Sequence, residues 1–190
     1  LRGNTAAVVS VDEDGSISSF SNRCGVAQDY CLAAPGNSIL SVYAQDEDEG
    51  LERLPDLELK NLDNKTVNVS SYGENGKITV FSFWATWCIP CKKELNNIAE
   101  LYEDWQDDYD VEVVAVATDD QRTVAKVKPY VNGKAWDYDV LYDTNQEFQR
   151  AIGFQTVPYT VVVDEDGDIM YEHSGYVEGD ENELEEIIQE

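Results

Sequence analysis

At 190 residues the chain is long enough for one domain of ordinary size plus an appendage, and too short for two full domains. Its 39 acidic against 13 basic residues give a formal charge of −26, which repels polyanions, argues against nucleic acid as a partner and makes solvated acidic faces the expectation. No run of 18 apolar residues occurs, so no membrane span is predicted, and the opening Leu1-Arg2-Gly3-Asn4 has neither methionine nor the apolar stretch of a signal peptide. The chain reads as a processed or truncated product, with any export signal or membrane anchor lying outside it.

Residues 1–45 are weakly charged and rich in Ser, Ala and Gly, with an apolar run at Ala6–Val11 followed by the turn signal Asp12-Glu13-Asp14-Gly15. Residues 46–53, within the acidic run Q-D-E-D-E-G-L-E-R that starts at Gln45, read as a linker. Regular patterning then sets in over residues 54–190, with no internal repeat and no low-complexity tract. Lys77–Trp84 is β-branched and aromatic, as a buried central strand requires. Pro90–Trp105 places Cys91, Leu95, Ile98 and Leu101 at helical spacing with charges between them. Val111–Ala117 is a second buried strand, Asp120–Val131 a helix, Tyr138–Tyr142 a short strand, and Asn145–Ile152 a short helix ended by Gly153. Tyr159–Val163 and Ile169–His173 flank D-E-D-G-D and predict an antiparallel hairpin, and Glu181–Ile188 closes the chain as an acidic helix. Strands alternating with helices and then a hairpin imply an α/β sheet of mixed strand direction.

The chemistry concentrates in residues 84–91, W-A-T-W-C-I-P-C. Cys88 follows a buried strand and falls on the first turn of the next helix, where free amide N–H groups and the helix dipole favour a thiolate. Such a setting lowers a cysteine pKa from about 8.5 into a range of about 3.5–7.5, which makes Cys88 the candidate nucleophile. Pro90 is tolerated early in a helix, and Cys91, one turn inward, is placed to attack a mixed disulfide on Cys88. A structural zinc site would need two more ligands, for which the chain offers His173, in the distant hairpin, and the remote Cys24 and Cys31. A purely structural disulfide leaves the strand-to-helix placement and the aromatic lead-in without an account. A redox pair, with no metal, is the expectation.

W-C-I-P-C, preceded by F-S-F-W-A-T and followed by K-K-E-L, resembles the thioredoxin superfamily and, within it, the TlpA/ResA-like thiol-disulfide oxidoreductases, from about Leu54 to the end of the chain. The resemblance implies a thioredoxin-like mixed sheet flanked by helices, here carrying an N-terminal appendage. It implies that T-V-P-Y-T supplies a cis-proline, Pro158 after Val157, facing the active disulfide. It also implies that Trp87, Ile89, Pro90, Val157 and Pro158 meet the substrate. Asp120–Tyr142 resembles the extra helix and strand of the subfamily, and the segment from Leu54 to Ser70 its N-terminal hairpin. The chain departs from the pattern at Ser82, where thioredoxin has a buried aspartate, at Ile89, where some members carry glutamate, and at Asn96, where a helix-kinking proline is usual. Glu94 is the candidate to tune Cys91, because an i, i+3 spacing puts both on one helix face; a solvated first-turn glutamate is the alternative. Lys92 and Lys93 read as a solvated face that can add positive potential near the thiolate.

The implied activity is exchange with protein disulfides or dithiols, needing no cofactor beyond the Cys88–Cys91 pair, with an upstream redox partner, acting as a reductant in an extracytoplasmic compartment such as the bacterial periplasm. A metal-binding or protein-interaction module on the same fold is the rival. Residues 6–43 resemble a non-catalytic fragment of subtilisin-like serine proteases, without the elements of a triad. Cys24 and Cys31 within it are a candidate structural disulfide.

Overall fold

A computed structural model describes residues 7–11, 31–35, 53–134 and 136–189. The chain divides into two units, Leu1–Glu49 and Gly50–Glu190. In the first, β1 (Ala7–Val11) and β2 (Cys31–Pro35) pair in parallel, from Ala7 opposite Cys31 to Val11 opposite Pro35. The candidate Cys24–Cys31 disulfide, most of the protease-like stretch and the acidic connection before Arg53 lie outside the described residues.

The second unit is built on seven strands: β3 (Glu58–Asn61), β4 (Thr66–Asn68), β5 (Thr79–Trp84), β6 (Glu112–Ala117), β7 (Asp139–Tyr142), β8 (Tyr159–Val163) and β9 (Ile169–Ser174). They form one mixed sheet in the order β4-β3-β7-β6-β5-β8-β9. The three strands of most apolar sequence, β5, β6 and β8, lie side by side at its centre, β5 running parallel to β6 and antiparallel to β8. All six residues of β5 are buried, because both faces of the sheet are covered. Phe81 and Phe83 face one core with Val114, Val116, Phe148 and Val161. Val80 and Trp84 face the other with Cys91, Leu95, Ile98, Ala115, Val162 and Leu184.

The helices are α1 (Ile89–Tyr109), α2 (Val127–Lys134), α3 (Glu147–Ile152) and α4 (Asp180–Ile188). Helix α1 runs past the predicted end at Trp105 and stops at Asp110, which takes the left-handed conformation (φ 54°) and returns its N–H to Trp105 O. Helix α2 begins later than the pattern predicts. The Asp120 carbonyl accepts from Thr123 and Val124 N–H, and its side chain accepts from Arg122 N–H, which holds residues 120–123 in a turn. Starting the helix at Val127 also puts Pro129 in its first turn, where its missing N–H and its ring are tolerated. Helix α3 closes at Gly153 (φ 100°), as the sequence pattern predicts. The β8–β9 hairpin forms as expected and makes β9 the edge strand.

Candidate active site

The loop after β5 is pinned from the end of β6, its parallel neighbour. Trp84 is paired with Ala117, and the Trp84 carbonyl accepts from both Thr118 N (2.8 Å) and Thr118 Oγ1 (3.1 Å). One residue further, the buried Asp119 carboxylate accepts from Thr86 N (2.8 Å) and Thr86 Oγ1 (2.5 Å). Lys92 Nζ donates to Thr86 O at 3.0 Å and lies 5.5 Å from the Tyr130 ring centre, so this lysine is engaged with the loop rather than free in solvent. Lys93 pairs at the surface with Glu178.

This framework delivers Cys88 to the N-cap of α1, one position before the first helical turn on which the sequence pattern put it. Cys88 Sγ accepts from Cys91 N–H at 3.3 Å, a hydrogen bond that strengthens when the sulfur is anionic. Ile89 and Pro90 open the helix, and Cys91 is bonded to Cys88 as a disulfide with Cα atoms 5.4 Å apart. Cys91 is wholly buried and Cys88 keeps 5% of its surface, so an incoming group meets the pair at Cys88. Cys88 is less open than its sequence context suggests, since its side chain folds back over the helix N-terminus. Its two chain neighbours are exposed apolar groups, Trp87 at 63% and Ile89 at 76%.

The register of β5 against β8, with Phe83 opposite Tyr159, brings the residues just before β8 to the same sheet end as the cysteine loop. The Val157–Pro158 peptide bond there is cis. Pro158 is buried, and its carbonyl accepts from Gly175 N (2.9 Å). Val157 is half-buried against both cores, one of which contains Cys88 and Cys91.

Glu94 is not a solvated helix-face residue: it is 5% exposed, one turn beyond Cys91. Its Oε1 accepts from Thr160 Oγ1 at 2.6 Å, while Oε2 is buried without a hydrogen-bond partner. Burial pushes its pKa up to about 7, opposed by the Thr160 bond and reinforced by the charges of Asp180 and Glu181. Ser82 Oγ is near enough to favour the carboxylate slightly but makes no hydrogen bond of normal geometry. Asn96, in the place of the usual proline, accepts from Trp136 Nε1 (3.2 Å), and Tyr138 OH donates to Leu95 O (2.7 Å). These two contacts tie α1 to the segment around β7.

Two residues of the site escape sequence reasoning. Asp119 is one acid among 39 and carries no local signal. Thr160 stands out only as a hydroxyl within the apolar run Val157–Val163, a weak sign of a buried polar contact. His173 is also closer to the site than the sequence suggests: it lines the same cleft as Glu94 and Thr160. Among the described residues, no three His, Cys, Asp or Glu side chains come together as metal ligands.

The AhpC/TSA family model matches residues 51–172. The thiol-disulfide oxidoreductase ResA of Bacillus thuringiensis subsp. konkukian is 29% identical over 134 residues, which cover 70% of this chain and 73% of that protein. A thioredoxin-like protein of Porphyromonas gingivalis, solved in solution, is 43% identical with a TM-score of 0.65, covering 72% of this chain and 89% of its own. StoA of Bacillus subtilis, at 22% identity, shares the fold with a TM-score of 0.56 over 69% of this chain and 94% of its own.

Proposed function

Because the chain belongs to the AhpC/TSA family and is a thioredoxin-like thiol-disulfide oxidoreductase, we propose that Cys88 and Cys91 are its redox pair and that it reduces protein disulfides through them. The observation that carries this is the asymmetry of the pair: Cys88 caps a helix N-terminus and keeps 5% of its surface, and Cys91 is wholly buried one turn further on. In the reduced protein the Cys88 thiolate attacks one sulfur of a substrate disulfide, and the other substrate sulfur leaves as a thiolate that takes a proton from solvent. The Cys91 thiol gives its proton to the Glu94 carboxylate and attacks Cys88 Sγ. The second substrate sulfur then leaves as a thiolate, and the protein is left with the Cys88–Cys91 disulfide and a protonated Glu94. An upstream dithiol reverses these steps. No cofactor besides the disulfide enters.

Trp87, Ile89, Pro90, Val157 and Pro158 form the surface against which an extended substrate segment rests. Work as a reductant, in an extracytoplasmic compartment such as the bacterial periplasm, completes the reading; the resemblance to ResA supports it. Among the described residues no helix is long and apolar enough to cross a membrane.

Reduction of insulin disulfides with dithiothreitol as electron source tests the activity: turnover is expected from the native protein and none from Cys88→Ser. Equilibration with glutathione tests the direction. A potential above about −180 mV, in the range of disulfide-forming proteins, contradicts a reductant.

A further inference from the structure

Between α1, α4 and the β8–β9 hairpin runs a narrow cleft of about 280 Å3, counting its open mouth, with Glu94 and Thr160 at its inner end and His173, Tyr176, Asp180 and Glu181 toward solvent. The strand register explains its polar character. Ser82 of β5 stands opposite Thr160 of β8, and Thr160 stands opposite His173 of β9. The three side chains therefore lie in one row on the same sheet face, with neighbouring Cβ atoms about 5 Å apart. The next row, Val80, Val162 and Tyr171, packs against the apolar core. A polar row across an apolar face is costly unless its members are satisfied. This one runs from the buried centre of the sheet to its edge strand, passing beneath Glu94. Ser82 is wholly buried, Thr160 is 3% exposed, and the His173 side chain is 35% exposed. His173 Nε2 is held 3.4 Å from Asp180 Oδ2, and Asp180 is itself fixed by Val177 N–H at 2.7 Å. Glu94 lines the cleft and is bonded through Oε1 to Thr160, the middle member of this row, while its Oε2 is buried without a hydrogen-bond partner.

We propose that this cleft is the proton route of the enzyme, and that His173, oriented by Asp180, exchanges protons between Glu94 and solvent. The inference rests on the redox reading above, in which Glu94 takes the Cys91 proton as the mixed disulfide resolves. Re-reduction returns that proton to Cys91 only where Glu94 has kept it; a Glu94 proton that exchanges with solvent between turnovers needs a path of its own, and the cysteine side offers little way out, because Cys91 is wholly buried. The proton leaves the Glu94 carboxyl, crosses the cleft, which has room for about one water, and is taken by the neutral imidazole. The imidazolium then releases it at the sheet edge. In the reducing half-cycle the same path runs inward. The groups facing His173 are Asp180 and Glu181 from α4, Glu94 from α1, Tyr176 from the following turn, and Tyr171 stacked beside it on β9. Tyr176 OH is occupied, donating to Glu181 Oε2 at 2.8 Å and accepting from Asn97 Nδ2 at 2.6 Å.

The test separates the two thiol steps. Reduced full-length protein is mixed at pH 7, in dilute buffer, with an aromatic disulfide that releases one coloured thiolate on attack by Cys88 and a second on attack by Cys91. With a pH-indicator dye present, His173→Gln should leave the first phase unchanged and make release of the Glu94 proton to solvent lag the second thiolate about tenfold or more, whereas in the native protein the two keep pace. Added imidazole should restore prompt proton release in the variant and leave the native protein unaffected. Proton release that keeps pace with the second thiolate in the variant, or that lags and is not restored by imidazole, overturns the route. Absence of both phases in the native protein refutes the redox reading itself. If His173→Gln depresses the first phase as well, the decision falls to NMR, since His173 is the chain's one histidine. Its ring resonance in the native protein should show a second inflection from Glu94 that Glu94→Gln abolishes, and a single inflection in both overturns the proposal.

Discussion

Glu94→Gln keeps the volume of the side chain and the acceptor for Thr160 Oγ1 while removing the ionisable group, so it isolates the cost of the buried charge. Burial raises the Glu94 pKa from the ordinary 4.5 to about 7. At 1.36 kcal/mol per pH unit the interval corresponds to about 3 kcal/mol. The sign follows from proton binding. Between pH 4.5 and 7 the folded protein holds the Glu94 proton and the unfolded chain has released it. The stability present below pH 4.5 is therefore lost as pH rises, and the loss is complete above about pH 7. The glutamine variant has no such term. Its stability relative to the native protein should therefore increase by about 2–3 kcal/mol between pH 5 and pH 8.5. Taking the difference at each pH cancels the titration of the other acidic groups. Urea unfolding of the oxidised proteins at four pH values, with a common m-value, measures it. A difference between variant and native protein that stays flat within about 0.5 kcal/mol would refute the assignment of Glu94 as a desolvated, proton-holding group.

Cys91→Ser should accumulate a mixed disulfide with substrate through Cys88, and iodoacetamide at mildly acidic pH should label Cys88 before Cys91 in the reduced native protein; peptide mapping reads both, and the reverse order contradicts the assignment of nucleophile and resolving thiol. Asp119→Ala leaves Thr86 N and Oγ1 without their buried acceptor and should cost about 2–3 kcal/mol in urea unfolding, while slowing exchange by loosening the loop before Cys88. Gly73→Ala would set a Cβ 2.4 Å from Gly167 Cα, backbone against backbone, and should destabilise by about 1–3 kcal/mol. By contrast, Gly133→Ala, inside α2 with nothing within 4 Å, should stabilise by about 0.5–1 kcal/mol; equal effects at the two glycines would contradict the packing of the Gly73 turn on the β8–β9 turn.

Much of the catalytic unit was legible because its signals are local. A strand buried on both faces announces itself as an unbroken apolar run, so β5, β6 and β8 were read from residues 77–84, 111–117 and 159–163 to within two residues. The D-E-D-G-D turn and the Gly153 stop depend on backbone conformations that few residue types adopt. Helix α2 was misplaced because the apolar spacing from Asp120 onward fits a helix, whereas the side-chain turn at Asp120 and the position of Pro129 delay it.

By itself the sequence determined the placement of the cysteine pair at the head of α1. Cysteine spacing, the strand before them and the helix after them are consecutive, and helical periodicity alone puts Glu94 on the face of Cys91. What surrounds that pair was decided only by the tertiary structure. That Glu94 is buried rather than solvated depends on α4 and the β8–β9 hairpin packing over it. That its partners are Thr160, 66 positions away, and the row leading to His173 depends on strand register, in which a one-residue slip would turn every one of these side chains to the opposite face. Register is fixed by the summed burial of both sheet faces, a property of all seven strands and their helices together, and no stretch of sequence near the cysteines contains it.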